Sequence, residues 1–442
     1  MANIGFISLG CAKNQVDCER MMYRVQEAGY TVQAEIVGAD VVVINTCGFI
    51  DSAKAEAIEH ILQTAALKAE GLVGKILVTG CLSQRYQDQI LAELPEVDGV
   101  LGTGSYTEVV AAIDRLLADE TVQAFGSIDA PEEETGRILT TPEHYAYIKI
   151  AEGCDNRCSY CIIPYLRGKF RSRTMDDVLY EARLLAAGGV KELLVVAQDT
   201  TRYGTDFPEH KRLLPELLRE LCKIEGFEWI RLHYVYPDEI DDELIEVMAT
   251  EPKIVKYLDI PIQHCNNKIL TLMNRRGDRA FLTELFDKLR QRVPGIVLRT
   301  SVITGLPGEG EEEFAELCEF LKEQRLERVG AFPFSPEEGT PAADMDFVDS
   351  EIAQQRAQMV ETIQSRIMDE YNQSMIGQTI TVLVDGYEEE YQQFYGRTFA
   401  DSPEIDGRVW IASEDALVEG TFVKVCIDGL IDGDLSGYLV EE

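Results

Sequence analysis

Three cysteines lie within eight residues near the middle of the chain, where Cys154, Cys158 and Cys161 follow the pattern C-x3-C-x2-C. Thiolates at this spacing can reach three corners of one iron–sulfur cube, and a [4Fe–4S] cube has four irons that usually take four cysteines. The motif therefore predicts a cluster with one iron open to a non-protein ligand, as in a catalytic metal centre. A zinc knuckle and three unrelated core cysteines are the alternatives, but zinc would need a fourth Cys or His, and none follows within twenty residues.

A second set of cysteines is dispersed over the first part of the chain. Cys11, Cys47 and Cys81 each directly follow an apolar, strand-like run, and helical patterns separate the three runs. Alternating strands and helices indicate a parallel sheet, whose strand C-terminal ends share one edge where ligands bind. We expect these three cysteines to converge there on a second cluster. Cys18 is interpreted as a small buried residue on the first helix.

Charge and composition limit the number of domains, the partners and the cellular compartment that suit this chain. The chain has 442 residues, a net charge of −37 and 45% hydrophobic residues, which suits about three packed domains. So negative a chain disfavours broad binding to phosphate backbones and favours basic partners. Eleven cysteines without an export signal indicate metal binding in a reducing cytosol rather than disulfides. No apolar run reaches the length of about 18 residues that a membrane helix needs, so we expect a cytoplasmic protein.

The pattern of apolar runs predicts an α/β protein with several parts. Six strand-like runs alternate with helices in the centre, too few for a closed eight-stranded barrel, and predict an open partial (β/α)6 barrel with its chemistry at the strand C-terminal ends. The acidic, turn-prone stretch Asp129–Glu134 is typical of a linker. The predicted parts are an N-terminal parallel α/β domain, a linker, the central barrel, a bridging helix and a small all-β barrel, at residues 1–120, 121–141, 142–345, 346–370 and 371–442.

Other residues near the predicted strand ends could take part in binding. The segment from Arg167 to Arg173 carries four basic residues in an acidic chain, either as a clamp for a carboxylate or as ion pairs with neighbouring acids. His264 beside Cys265 could bind metal, although a turn after Pro261 is the simpler interpretation. Further polar candidates at strand ends are Gln198, Asp199, His233, Tyr236 and Gln263.

The last part of the chain predicts five short strands separated by Gly and Asp turns, as in small oligonucleotide-binding barrels. From Met375 onward the chain has fifteen Asp and Glu against three Arg and Lys. Such a barrel is poorly suited to RNA and well suited to a basic protein.

The central motif, with the aromatic Tyr160 before its last cysteine, resembles the signature of the radical S-adenosylmethionine (SAM) superfamily. Together with the dispersed cysteines and the small terminal barrel, it resembles the methylthiotransferases over nearly the whole chain. The resemblance implies an N-terminal cluster domain, a radical SAM core and a TRAM domain. It implies that Cys154, Cys158 and Cys161 hold a [4Fe–4S] cluster that binds SAM and cleaves it to a deoxyadenosyl radical.

The same resemblance implies further site residues and cofactors. Cys11, Cys47 and Cys81 would hold an auxiliary [4Fe–4S] cluster whose open iron carries the sulfur to be transferred. Family members insert sulfur into an unactivated C–H bond and methylate it, consuming two SAM. The residues that would contact SAM are Tyr160, Gln198, Asp199, Ile303 and Gly305.

Within the family, three segments are similar to the branch that modifies an aspartate of the small-subunit ribosomal protein of the decoding centre, of the S12 type. These segments are 8–14, 165–173 and 257–264. Ala12 departs from a common Pro of the family, and Cys18, which follows the first segment, departs from a common Ser. The implied function is transfer of a methylthio group to the aspartate β-carbon, with an external electron donor and sulfur source. A tRNA adenosine methylthiotransferase is the alternative, for which a basic terminal barrel would be expected. A non-catalytic iron–sulfur protein that binds ribosomes is the alternative of another class, and it would need no SAM.

Overall fold

The computed structural model describes residues 2–131 and 136–440. The first part is a parallel sheet of six strands in the order β2-β1-β3-β4-β5-β6, covered on both faces by helices and two apolar cores. Its strands are β1 Asn3–Ser8, β2 Thr31–Gln33, β3 Val41–Thr46, β4 Lys75–Gly80, β5 Gly99–Leu101 and β6 Val122–Ala124. Its helices are α1 Ala12–Glu27, α2 Asp51–Ala69, α3 Cys81–Tyr86, α4 Asp88–Glu93 and α5 Val109–Leu117.

The first sheet extends past the predicted domain boundary at residue 120. Strand β6 lies inside the segment assigned to a linker, because Val122–Ala124 pair in parallel with β5 and Val122 enters the apolar core. Of the acidic stretch that suggested the linker, residues 132–134 lie outside the described residues.

The central part is a second parallel sheet, whose six strands lie side by side in chain order as β7-β10-β11-β12-β13-β14. Each βα unit thus adds beside the last, which gives the open partial barrel that the six alternating runs predict. The strands, with the short antiparallel pair β8 and β9, are β7 Tyr145–Lys149, β8 Ala151–Glu152, β9 Arg171–Ser172, β10 Glu192–Val196, β11 Trp229–Leu232, β12 Ile254–Asp259, β13 Val297–Thr304 and β14 Arg328–Pro333. The helices are α6 Ile163–Arg167, α7 Met175–Ala187, α8 Leu214–Cys222, α9 Asp242–Thr250, α10 Asn267–Leu272, α11 Arg279–Arg292 and α12 Glu311–Gln324.

The long helix α13, Ser350–Met375, packs along β14 and connects the central sheet to the terminal barrel. The barrel is closed, with strand order β15-β16-β17-β19-β18. Its strands are β15 Thr379–Glu388, β16 Gln393–Arg397, β17 Val409–Ala412, β18 Phe422–Ile431 and β19 Asp434–Leu439. Short 3-10 turns lie at Thr103–Glu108, Thr200–Arg202, Pro237–Glu239 and Pro341–Asp344. The predicted α/β fold class, with its small all-β barrel, is confirmed. In the described part of the chain, no helix combines the length and apolar character needed to cross a lipid bilayer.

Buried ion pairs attach the terminal barrel to the N-terminal ends of the central strands. Glu192, the first residue of β10, accepts from Arg231 Nε at 2.7 Å and from Arg397 Nη1 at 2.5 Å. Arg328, the first residue of β14, donates to Asp401 Oδ1 at 2.8 Å. The terminal barrel therefore lies at the N-terminal ends of the central strands, and the first domain lies toward their C-terminal ends.

Candidate functional site

The local cysteine triad lies on the loop that leaves the first central strand at its C-terminal end. Backbone hydrogen bonds shape this loop: Cys154 N donates to Gly168 O at 3.1 Å, and Cys161 N donates to Cys158 O at 3.0 Å. A third bond, from Ser159 N to Met273 O at 3.0 Å, ties the loop to the end of α10. The three cysteines therefore sit where barrel chemistry is expected.

The surroundings of this triad are apolar. Cys158 and Tyr160 belong to one buried cluster, into which Ile303 also packs. Burial raises the pKa of Cys154 to about 12 and also raises the pKa of Cys161. Such a pocket disfavours free thiolates, and binding to a metal cluster is the usual way to stabilise them there.

Two polar groups enter this apolar pocket. Tyr236 Oη lies 3.4 Å from Cys158 Sγ, and Arg275 Nη1 lies 3.8 Å from the same sulfur and 3.3 Å from Tyr160 Oη. Arg275 also donates to Pro261 O at 2.5 Å, which holds the guanidinium at the C-terminal end of β12 in the central sheet. A cation held beside Cys158 stabilises negative charge on its sulfur.

The dispersed cysteines come together at the C-terminal edge of the first sheet. Cys11 precedes α1, Cys47 follows β3, and Cys81 opens α3 directly after β4. Each thiol is close enough to shift the pKa of another, since Cys47 interacts with Cys11 and Cys81 interacts with both. Gly10 has a φ of +91°, and a Cβ there would lie 2.8 Å from Cys47 Cβ. The chain thus approaches Cys47 as closely as only glycine permits.

Buried cations surround this second triad. Arg167 Nη2 lies 3.4 Å from Cys81 Sγ. Burial raises the pKa of Cys11, but Lys13 and Arg167 outweigh it and lower the pKa overall. Burial also raises the pKa of Cys47. It raises the pKa of Cys81 to about 12, although the charge of Arg167 acts to lower it. Three adjacent thiols beside two cations are suited to hold an anionic iron–sulfur cluster.

A short segment after β11 lies between the two triads. Tyr236 contacts Cys158 of the local triad, and the ring of Tyr234, two residues earlier, lies 3.5 Å from Lys13 Nζ. Lys13 is itself two residues from Cys11, which a chain spans in roughly 7 Å at most. This segment therefore runs from one triad to the vicinity of the other, where the first domain meets the central sheet.

The basic segment 167–173 forms ion pairs with neighbouring acids. Arg173 pairs with Glu181 at 2.6 Å, and Arg171 lies 3.7 Å from Asp129. Arg167 donates to Asp17 Oδ2 at 2.5 Å. Of the two interpretations of this segment, these contacts fit ion pairing with neighbouring acids.

Arg167 is the centre of a buried network that joins the two domains. Its Nη1 also donates to Glu152 Oε2 at 3.1 Å, and Lys149 Nζ donates to the same carboxylate at 2.7 Å and to Asp17 at 2.5 Å. Gln198 extends the network, because its Nε2 donates to Glu152 Oε1 at 2.5 Å. One set of charges thus links α1 of the first domain to the ends of the first two central strands.

The residues that the resemblance assigns to SAM differ in whether their side chains already have partners in the structure. Tyr160 and Ile303 line the apolar pocket of the local triad. Gln198 keeps a buried carbonyl oxygen without a hydrogen-bond partner in the described residues. Asp199 is fully buried and caps the turn after β10, with Asn156 Nδ2 donating to it at 2.7 Å. A Cβ at Gly305 would lie 2.4 Å from that of Ala353, so close packing against α13 accounts for this glycine.

Three further side chains have local structural roles. His264 Nδ1 accepts from Asn266 N at 3.0 Å, and the Cys265 thiol donates to Glu316 O at 3.7 Å, which fits a turn. Cys18 lies in the first domain's apolar core, where burial raises its pKa to about 12. These contacts direct all three away from the triads.

Sequence reasoning missed Lys13, Asn14, Tyr234 and Arg275. Asn14 accepts from Arg167 and contacts Cys81 Sγ at 3.7 Å, and its Nδ2 donates to Leu9 O and Thr46 O at 3.0 and 2.9 Å. Its position in the first turn after Cys11 could have indicated this role. Nothing in the spacing of Tyr234 or Arg275 relates either residue to a cysteine.

The donor set of both triads fits a cluster better than a single ion. In residues 2–131 and 136–440, no three Cys, His, Asp or Glu side chains stand close enough to chelate one metal ion. A four-iron cube spreads its cysteine ligands over separate irons and needs a wider arrangement. Each triad provides three cysteines, and neither Cys18 nor Cys265 is directed to supply a fourth.

Curated relatives match the chain from end to end. The ribosomal protein uS12 methylthiotransferase RimO of Caldanaerobacter subterraneus subsp. tengcongensis is 48% identical, over 99% of this chain and 100% of the relative. The chain belongs to the RimO family. RimO of Lachnoclostridium phytofermentans is 47% identical over 98% of this chain and 99% of its own, and RimO of Clostridioides difficile is 44% identical over the full length of both.

Family models agree with this membership, and solved structures share the fold. Residues 148–321 match the radical SAM superfamily, 3–102 the uncharacterized protein family UPF0004, and 376–440 the TRAM domain. The radical SAM methyltransferase TsrM of Kitasatospora setae has a TM-score of 0.59 at 14% identity, covering 80% of this chain and 78% of its own. The cobalamin-dependent radical enzyme OxsB has a TM-score of 0.52 at 12% identity, covering 82% of this chain and 56% of its own. At these identities both comparisons concern the fold.

Proposed function

We propose that this protein is a radical SAM methylthiotransferase that adds a methylthio group to the β-carbon of an aspartate in ribosomal protein uS12. The observation that carries the proposal is the pair of cysteine triads on either side of the segment from Tyr234 to Tyr236. Family membership supports the reaction, because the relatives are named as uS12 methylthiotransferases.

In this proposal Cys154, Cys158 and Cys161 hold the cluster that binds SAM, and the dispersed triad Cys11, Cys47 and Cys81 holds the auxiliary cluster. When bound, the two [4Fe–4S] clusters and two SAM molecules supply the radical, the sulfur and the methyl group.

The chain's own residues provide position and protection. Tyr160 and Ile303 pack around the local triad, and this apolar pocket keeps water from the reactive space. Gln198 has an unpartnered buried oxygen that could accept a hydrogen bond from SAM. The network around Arg167 joins α1, which follows Cys11, to the start of the loop that carries the local triad, and so would help to keep both triads in position for one substrate.

The exposed acids of the terminal barrel would bind a basic protein. Asp385, Asp401 and Asp406 are occupied by Arg397, Arg328 and Arg299. The exposed set is Glu389, Glu390, Glu404, Glu414, Asp415, Glu419, Asp428 and Asp432. A surface of this sign attracts a protein rich in Lys and Arg and repels tRNA. Because the proposed substrate is ribosomal, we assign the reaction to the cytoplasm.

Anaerobic reconstitution would test the proposal. The protein with its clusters, SAM and a reductant is incubated with a peptide carrying the uS12 aspartate loop, and the products are read by mass spectrometry. We expect about eight irons per chain, as two cubes, and a mass gain of one methylthio group on the aspartate. SAM cleavage without peptide modification would refute the substrate, and tRNA would then be tested. A single cluster would refute the role of the dispersed triad.

A further inference from the structure

Lys13 is a buried cation without a carboxylate partner among the described residues. The residue is 8% exposed, and its ammonium lies over the ring of Tyr234. None of the ion pairs within residues 2–131 and 136–440 involves it, and the groups that act on its charge are Tyr234, which also hydrogen-bonds the ammonium, Cys11 and Arg167. A ring face attracts a cation only weakly compared with a carboxylate.

The other buried cations near the site are better satisfied. Lys149 and Arg167 share Asp17 and Glu152, while Arg275 donates to a backbone carbonyl and lies beside a cysteine sulfur. A charge removed from water normally pairs with an opposite charge or binds a ligand. Lys13 is therefore suited to an anion that comes from outside the chain.

The position of Lys13 limits what that anion can be. Lys13 lies two residues from Cys11 of one triad, and Tyr234 lies two residues from Tyr236, which contacts Cys158 of the other. An anion on Lys13 would thus lie beside the segment that runs between the two triads. In aspartate the side-chain carboxylate is bonded directly to the β-carbon, so binding the carboxylate places that carbon within one bond.

We propose that Lys13 binds the side-chain carboxylate of the substrate aspartate and makes the site specific for aspartate over asparagine. This inference rests on the proposed function, because it takes the aspartate of uS12 as the substrate. Lys13 acts as a binding residue: it holds the target carboxylate by a charge-assisted hydrogen bond and orients the β-carbon toward the triads.

Two changes, made separately and together, test the proposal: the substitution of Lys13 and the exchange of Asp for Asn in the peptide. Affinity is measured by fluorescence anisotropy for the holoenzyme with SAM and two peptides of the uS12 loop, identical except for Asp or Asn at the target position. We expect wild type to prefer the Asp peptide by about tenfold or more, as for a hydrogen bond to a charged group. Lys13→Met should bind both peptides as weakly as wild type binds the Asn peptide. Lys13→Arg should keep part of the preference.

Two controls separate this role from others. Lys322→Met, at an exposed position of α12, should retain the full preference. Iron content is measured in both Lys13 variants, and the preference for Asp is compared at equal iron occupancy. If Lys13→Met keeps the preference for Asp, or loses iron with no change in that preference, Lys13 serves the fold or the auxiliary cluster and the inference is wrong. If wild type binds both peptides equally, the inference is also wrong. If wild type binds neither peptide, the proposed function itself fails.

Discussion

The two cysteine triads are assembled in different ways. Cys154, Cys158 and Cys161 lie on one loop, so the loop conformation alone brings them together. Cys11, Cys47 and Cys81 follow three strands, and only the parallel pairing of β1, β3 and β4 makes their ends adjacent. The first triad is a local motif, and the second is a product of sheet topology.

The triads differ in electrostatics as well. The local triad lies in an apolar pocket with one guanidinium beside Cys158. The dispersed triad lies against Lys13 and Arg167, which lower the pKa of Cys11 despite its burial. At Cys47 and Cys81 of the same triad, burial still raises the pKa. The two cations therefore outweigh burial at Cys11, and the triads differ most clearly at that thiol.

The largest expected effect separates the two triads by function. Under the proposed function, Cys154→Ala should abolish SAM cleavage, because the cluster that would bind SAM loses a ligand. Cys47→Ala should leave SAM cleavage intact and abolish methylthio transfer to the peptide. Deoxyadenosine and modified peptide are measured by mass spectrometry in the same reaction.

Cys222→Ala, at a half-buried position of α8, is the matched control and should change neither product. Sulfur transfer that persists in Cys47→Ala would remove the dispersed triad from the reaction. Loss of SAM cleavage in that variant would mean that the two triads do not act separately.

How much the sequence could predict also differs between the triads. The three-cysteine spacing directly indicates a cluster, and the strand–helix alternation predicts that Cys11, Cys47 and Cys81 meet at one edge. Both inferences depend on regular patterns, namely a fixed spacing and a sheet with one C-terminal edge. Strand β6 escaped prediction because Val122–Ala124 is only three residues long and its pairing with β5 is set by the tertiary fold.

The contacts between the domains could not be predicted. Lys13 meets Tyr234 and Arg167 meets Asp17 across long separations in the chain, and no periodicity relates them. Gly305 is a related case: the resemblance assigns it to SAM, and no sequence pattern indicated its close packing against Ala353. Side-chain partners depend on how elements dock, which a single sequence does not encode in any local pattern.

The second prediction concerns the buried network around Arg167 that joins the two domains. Arg167→Met should reduce the free energy of unfolding by about 3–5 kcal/mol, because Asp17 and Glu152 lose a buried partner. It should also lower the iron retained by the dispersed triad, since Cys81 loses its cation. Urea unfolding of the cluster-free protein and iron counting in a Cys154→Ala background would measure the two effects.

Arg171→Met, a more exposed change in the same basic segment, should cost less than about 1 kcal/mol. Equal effects of the two substitutions would show that total charge matters and the network does not. The difference between the triads in their dependence on protein cations would then disappear.

The third prediction tests the buried ion pairs that join α1 of the first domain to α7 of the central part. Glu181 on α7 pairs with Arg20 on α1 at 3.4 Å and with Arg173 at 2.6 Å. Burial raises the pKa of Glu181, but the surrounding arginines outweigh it and lower the pKa from 4.5 to about 2. Because the folded pKa is below the unfolded one, the stabilisation is complete above about pH 4.5 and is lost as the pH falls toward 2.

Glu181→Gln should therefore destabilise the protein by about 3 kcal/mol near neutral pH, and its difference from wild type should shrink below pH 4.5. Urea unfolding of cluster-free protein at a series of pH values would measure this. Glu225→Gln, at an exposed position, should show no such pH-dependent difference. A Glu181→Gln effect that stays constant down to pH 3 would contradict the assigned ion pairs.

The smallest expected effect concerns the loop that carries the local triad. Asp199 accepts from Asn156 Nδ2 at 2.7 Å and from Thr201 N at 3.1 Å, which connects the cluster loop to the turn after β10. Asp199→Asn exchanges one acceptor oxygen for a donor, so it can satisfy only one of these two partners. We expect about a tenfold lower rate of SAM cleavage with normal iron content, as for groups that orient ligands without touching the metal. Asp155→Asn, an exposed change on the same loop, should leave the rate unchanged. Equal rates in the two variants would mean that backbone hydrogen bonds alone hold the shape of the loop. The local triad would then depend less on side chains from other elements than the dispersed triad does.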